Sequence, residues 1–376
     1  MATRPFEKCL RPLAGAFAAL LLGCSAAAGV TPASTVATQP AAERAYKLAE
    51  GPYQVQTVPQ FLLHDAKRDK DLPVSVSYPK GKGPFPVIIF SHGAGGSGSH
   101  YFPLVRFWVS HGYVCVCPTH ADSLSLRKDK LPITQPSDVD AALRGVVRAV
   151  LADTKGWENR PRDISFVIDS LGEIEAKDPN LKALMDTKRI GVGGHSYGAY
   201  TAQVIGGATV DIPGGPKGQS LADDRAKAIL VLSGQGRDQM GLTGKSWEKC
   251  ARPMMVMTGT LDRGATGKGA DWKLEPFKFA PAGDKYGINI EGAHHFSFSG
   301  RIAEGGGVWL APRAQLDAAR AAGTDEKGEK AVFSYVKIAT IAFWDAYLCN
   351  DEKAKAYLKS DSLPTYSNSA VKLERR

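Results

Sequence analysis

Short, compact apolar runs alternate along this chain with segments whose apolar positions recur every three or four residues. The runs Val74–Tyr78, Val87–Phe90, Tyr113–Cys117, Ile190–Gly193, Ala228–Leu232, Met254–Thr258 and Tyr286–Ile290 predict β-strands, since they are rich in residues that suit a pleated, packed surface. Helical spacing falls between them at Phe102–Ser110, Asp138–Ala152 with Ser137 as N-cap, Ala199–Ile205 and Ala331–Leu348. Strands that alternate with helices in this way predict an α/β class domain, a mainly parallel, doubly wound sheet flanked by helices. Residues 157–187 have helical character without a strand, which fits either a partial lid or an ordinary connection, and the connection is the preferred reading. On this pattern residues 49–350 form the folded domain and residues 351–376 a C-terminal tail.

The start of the chain follows different rules. Arg4, Lys8 and Arg11 precede an apolar run, Leu13–Leu22, that is too short to span a bilayer, so residues 1–23 predict an export signal. Leu21-Leu22-Gly23-Cys24 resembles the lipobox of bacterial lipoproteins, in which the cysteine is acylated; cleavage within Ala26–Gly29 is the alternative. Residues 24–48, mostly Ala, Thr, Ser, Pro and Gln, predict a flexible tether. The expectation is therefore a periplasmic or outer-membrane lipoprotein held by Cys24, or otherwise a secreted protein. With 376 residues and 43% hydrophobic content the chain can bury a large core, and its net charge of +9 is scattered rather than blocked, which argues against a nucleic-acid partner. An oxidising compartment makes disulfides possible. Cys115 and Cys117 are expected as buried free thiols on one strand face, which leaves Cys250 and Cys349 as the expected bridge.

The chemistry is concentrated at strand ends. Gly194-His195-Ser196-Tyr197-Gly198 matches G-x-S-x-G and sits between a predicted strand and a predicted helix, the setting of a nucleophile elbow with Ser196 exposed at its tip. A serine hydroxyl must lose its proton as it attacks, so a histidine oriented by a carboxylate is required, in the chain order Ser, acid, His. Asp262 follows the Met254–Thr258 strand and is the expected acid, with Asp238 as the runner-up; His294 and His295, after the last predicted strand, supply the base between them. Ser91-His92-Gly93-Ala94-Gly95-Gly96 is the glycine-rich loop expected to give one oxyanion donor, the Ala94 amide, and the Tyr197 amide is the other. His120 and Asp122 are candidate pocket residues or a bonded pair that shapes their loop. No metal-ligand spacing and no phosphate-loop spacing occurs, so a mechanism without metal or cofactor is expected.

On the elements Ser91–Gly95, His120-Ala121-Asp122-Ser123, Gly194–Gly198 and Gly292-Ala293-His294-His295-Phe296, the chain from about Pro73 to Leu348 resembles bacterial relatives of platelet-activating factor acetylhydrolase and dienelactone hydrolase, a branch of the α/β-hydrolases shared with cutinase-like polyesterases. The resemblance implies His295 as the base, at the fourth position of Gly-Ala-x-His. Two departures limit it: dienelactone hydrolases use a cysteine where Ser196 stands, and the acetylhydrolases carry the acid one strand earlier, where this chain reads Leu232-Ser233. The expected activity is hydrolysis of a small-molecule or polymeric carboxylic ester through an acyl-enzyme. Amide or peptide cleavage on the same fold and a non-catalytic, lipid-anchored binding role are the alternatives.

Overall fold

A computed structural model describes residues 45–127, 138–264, 267–305 and 325–376, together with Asp317 and Ala321. The export signal, Cys24, most of the tether and Ser137 lie outside the described residues. Among the described residues nine strands form one sheet: β1 (Val55–Asp65), β2 (Lys70–Pro79), β3 (Phe85–Ser91), β4 (Val114–Pro118), β5 (Met185–His195), β6 (Ala226–Leu232), β7 (Met254–Gly259), β8 (Lys285–Ile290) and β9 (Val371–Arg375), in the order β1-β2-β4-β3-β5-β6-β7-β8-β9. The six strands from β4 to β8 pair in parallel, while β1, β2 and β9 add antiparallel strands at the two edges.

The strand sequences read as unbroken apolar runs because both sheet faces are covered. On β3, Val87 and Ile89 face one core layer and Ile88 and Phe90 the other; on β6, Ile229 and Val231 alternate in the same way with Ala228, Leu230 and Leu232. Helices α1 (Phe102–Ser110) and Glu326–Leu348 cover one face. Helices α2 (Asp138–Ala152), α3 (Thr154–Asp169), α4 (Leu171–Lys177) and α5 (Tyr197–Ile205) belong to the other side. The segment 157–187 is a helical connection: α3 and α4 pack Ile164, Val167 and Ile174 into the core before β5 begins at Met185. The chain leaves β3 towards β4 on one side and reaches β5 on the other, so a crevice opens above the carboxyl ends of β3 and β5, the usual place for a ligand in such sheets.

Three expectations are corrected. Residues 351–376 are no tail: helices Glu352–Lys359 and Ser362–Tyr366 lead into β9, which pairs with β8 from Tyr286↔Arg375 to Ile290↔Val371. The end of the expected tether is packed as well, since the Tyr46 hydroxyl donates to Asp345 at 2.8 Å and Lys47 pairs with the same carboxylate at 2.6 Å. Cys250 and Cys349 are free thiols on opposite sides of the sheet. Cys250 is buried in the layer shared with α3–α5, whereas Cys349 ends the long helix on the other face, 3.3 Å from the Tyr113 hydroxyl. Cys115 and Cys117 are free and buried on one face of β4.

Candidate active site

Ser196 stands between β5 and α5 with φ 57° and ψ −117°, a conformation that costs an L-residue energy and recurs at functional turns. The turn is closed by its glycines. A Cβ on Gly194 would lie 2.1 Å from the Gly198 carbonyl oxygen, and one on Gly198 would lie 1.9 Å from the Ser91 carbonyl oxygen. The sequence therefore folds here only with glycine at both flanks, and the tight turn leaves the Ser196 hydroxyl at the end of α5, where the first amides have no intrahelical partner.

His295 Nε2 lies 3.0 Å from Ser196 Oγ. On the opposite edge of the ring, Nδ1 is 3.2 Å from Asp262 Oδ1 and 2.6 Å from Ser233 Oγ. Asp262, fully buried beyond β7, also accepts from Ser233 Oγ and from Thr258 Oγ1, each at 3.0 Å. Lys273, on the short helix α6 (Ala270–Lys273), is equally buried; its Nζ is 3.0 Å from Ser233 Oγ and 3.4 Å from Asp262 Oδ1. Burial alone would raise the Asp262 pKa, but Lys273 and the bond from His295 hold its carboxyl far below the usual carboxylate range. Burial lowers the His295 pKa below 6.5, with Lys273 and His294 pushing the same way and Asp262 opposing. His195, the variable residue of the elbow, donates from Nε2 to the His295 carbonyl at 2.6 Å and accepts from the Tyr101 hydroxyl at 2.7 Å, which ties the His295 loop to the elbow.

The loop Ser91–Gly96 lies against the same serine: a Cβ on Gly93 would stand 3.4 Å from Ser196 Cβ. Behind the loop is a second buried polar cluster. His92 accepts from the His120 amide at 2.9 Å through Nε2 and donates through Nδ1 to the Gly93 carbonyl at 2.7 Å. The His120 ring bridges Ser91 Oγ and Asp163, both at 2.9 Å, and burial with the nearby Arg160 charge lowers its pKa to about 4, so the ring is neutral. Asp122 accepts from the Gly95 amide at 2.9 Å and pairs through both oxygens with Arg160 at 2.8 and 2.7 Å.

Ser196, Asp262 and His295 are thus brought together as the sequence indicated; Tyr197 follows the serine as the first residue of α5, and Ala94 follows Gly93, the loop residue that lies against it. His294 is buried apart from them, 3.1 Å from Glu329. Asp238 is exposed in the turn before Leu242, where its amide bonds the Leu242 carbonyl. His120 and Asp122 shape the loop; the cavity of about 60 Å³ that they line lies behind it, between Lys70 and Tyr197. Sequence reasoning missed Lys273, Arg160, Asp163 and the part played by Ser233. For Ser233 a signal existed, because it stands where the resemblance places an acid; its φ of 50° is positive, as that of Ser196 is.

A family model described as Chlorophyllase matches residues 43–156, a stretch that includes the Ser91–Gly96 loop and ends before Ser196. Among solved structures, a ferulic acid esterase from Streptomyces cinnamoneus is similar at 17% identity and a TM-score of 0.54, over 87% of this chain and 97% of that one. No curated protein sequence matches the chain. The sheet order, the elbow and these likenesses establish the α/β-hydrolase fold.

Proposed function

We propose that this member of the α/β-hydrolase superfamily, an ester hydrolase, cleaves carboxylic esters through an acyl-enzyme formed on Ser196. The observation that carries the reading is the contact of His295 Nε2 with Ser196 Oγ at 3.0 Å, with the far side of the ring held by Asp262 and Ser233. Ser196 Oγ attacks the ester carbonyl and its proton passes to His295 Nε2, while Asp262 stabilises the imidazolium. The tetrahedral oxyanion is met by the Ala94 and Tyr197 amides, a kind of stabilisation for which each donor contributes about 10²–10³ in rate. His295 then returns the proton to the leaving alcohol, and water, deprotonated by the same ring, releases the acid. The geometry supports a base that works in mildly acidic solution, because His295 is held neutral below its ordinary range.

Burst release of nitrophenol from short acyl esters, together with fluorophosphonate labelling, tests this. Labelling at Ser196 alone and loss of turnover to a trace in Ser196→Ala are expected; an alanine variant that stays active overturns the mechanism. A panel of small and polymeric esters, with feruloyl esters and chlorophyll included because the similar proteins bear those names, defines the acyl and alcohol preference. The first 24 residues support export with a lipid on Cys24, and an intact mass showing an unmodified chain that begins beyond Cys24 rejects the anchor.

A further inference from the structure

Arg160 comes from α3, outside every motif of the site, yet its side chain is only 2% exposed and its whole guanidinium is engaged at the loop behind Ser196. Nη1 donates to the His92 carbonyl at 2.5 Å, and Nη2 to the Gly93 carbonyl at 3.3 Å. Nε and Nη2 grip both oxygens of Asp122, which in turn accepts from the Gly95 amide at 2.9 Å. The same guanidinium lies 4.1 Å from the centre of the Tyr197 ring, a stacking arrangement that attracts a cation to an aromatic face.

These contacts fix the direction of two successive peptide planes. In a trans peptide the carbonyl of one residue and the amide of the next point in opposite directions. The His92 carbonyl faces Arg160, and the Gly93 amide accordingly points the other way, where it donates to the Tyr101 hydroxyl at 3.2 Å. The Gly93 carbonyl also faces Arg160, so the Ala94 amide is turned towards the side of Tyr101, His195 and Ser196. The Gly93 carbonyl also accepts from His92 Nδ1 at 2.7 Å and from the Gly96 amide at 3.0 Å, and of its three donors Arg160 is the one that also fixes the His92 carbonyl and Asp122. Gly93 has no side chain, so sterics at Gly93 do little to stop the Gly93–Ala94 peptide from turning over, and these hydrogen bonds supply the resistance.

We propose that Arg160 is a positioning residue for the oxyanion hole, holding the Gly93–Ala94 peptide and the Tyr197 end of α5 in one rigid unit so that both amides converge on the same point. The proposal rests on the acyl-enzyme reading of Ser196. It predicts a defect confined to the tetrahedral state, which carries the negative charge, with substrate binding in the ground state little changed.

The test compares wild type with Arg160→Lys and with the double variant Arg160→Met/Asp122→Asn, which removes the guanidinium without leaving Asp122 as an unpaired buried charge. Circular dichroism and a thermal melt establish that each is folded. Expected for the double variant are a fall of about 10²-fold in kcat, as for loss of one oxyanion donor, and a KM within about threefold of wild type. Affinity for a trifluoromethyl ketone, whose hydrate-free adduct with serine carries the oxyanion, falls by a similar factor. Arg160→Lys restores little, because an ammonium cannot bridge two carbonyls and a carboxylate at once. A folded double variant with wild-type kcat and wild-type ketone affinity overturns the proposal, as does a lower kcat with ketone affinity unchanged. Failure of wild-type Ser196 to take the fluorophosphonate removes the acyl-enzyme reading and this one with it, whereas normal labelling beside an undiminished variant removes this one alone.

Discussion

Two buried charged clusters flank Ser196, and they differ in what their charges touch. On the β6–β8 side, Lys273, Asp262, Ser233 and His295 end in a side-chain contact with Ser196 Oγ at 3.0 Å. On the β3–β4 side, Arg160, Asp122, His92, His120 and Asp163 bond each other, the Ser91 hydroxyl and the backbone of residues 92–95. On the proposed mechanism the first cluster moves a proton and the second holds amides still. Charges buried for either purpose need partners, since an unpaired charge in the interior costs several kcal/mol. Substitutions in the first cluster are therefore expected to act on turnover and its pH dependence, and those in the second to act also on stability.

The largest expected effect is on the first side. His295→Ala should lower kcat by about 10⁴-fold or more, as loss of a triad base does, with the melting temperature nearly unchanged. Asp262→Asn should cost less, about 10²–10⁴, because Ser233 Oγ remains 2.6 Å from His295 Nδ1 to fix the ring. His294→Ala provides the contrast within one loop: its ring is bonded to Glu329 and to the Phe296 amide, so about a tenfold loss through a disturbed loop is expected. Steady-state kinetics on one nitrophenyl ester rank the three. A dead His294 variant beside an active His295 variant would reverse the assignment.

The two clusters were not equally legible from sequence. Gly194–Gly198 and Gly292–Phe296 are contiguous and stand directly at strand ends, so order along the chain reproduces order in space. Arg160 and Asp163 lie among Glu158, Asn159 and Arg162 in a stretch that reads as an ordinary solvated helix face; only the packing of α3 against α5 and β4 buries them. Lys273 is hidden for the same reason, on a helix of one turn. The strands followed a similar division. Those covered on both faces announce themselves as apolar runs, whereas β1 is interrupted by Pro59 and Gln60 with a register shift between Val58 and Phe61, and β9 alternates Val371 and Leu373 with Lys372 and Glu374 in too short and polar a run. Cysteine spacing carries no information on which sheet face a thiol occupies, and the expected bridge failed on that point.

Lys273 gives a smaller but more specific test of the proton-moving side. His295 is faced by Asp262, Lys273, His195 and His294, and among these Lys273 adds a positive charge that opposes protonation of the ring. In Lys273→Met that opposition is lost, so His295 binds its proton more tightly. The acid limb of kcat/KM, which reports the free enzyme, should move to higher pH, while the rate on the alkaline plateau falls by less than about tenfold. A limb that stays in place, or moves to lower pH, would mean that Lys273 is not felt at the base.

The smallest effect on turnover is expected from His120, and its signature belongs to stability. His120 is fully buried and bonded to Ser91 and Asp163, with its pKa lowered from 6.5 to about 4, burial being the main cause. Between these values the unfolded chain holds a proton on this ring and the folded chain does not. Stability therefore rises with pH through this window, and on acidification it falls by at most about 1.4 kcal/mol for each pH unit below 6.5, until the folded ring titrates near 4. His120→Gln keeps a side chain able to donate to Asp163 and to accept from Ser91, but it cannot take up the proton. The variant should be less stable than wild type at pH 7.5, where the imidazole packs better, and the gap should narrow steadily as the pH falls from 6.5 towards 4. Urea midpoints measured across that range decide the matter: two curves that remain parallel would show that His120 does not change its protonation on unfolding, and that its place behind the loop is one of shape alone.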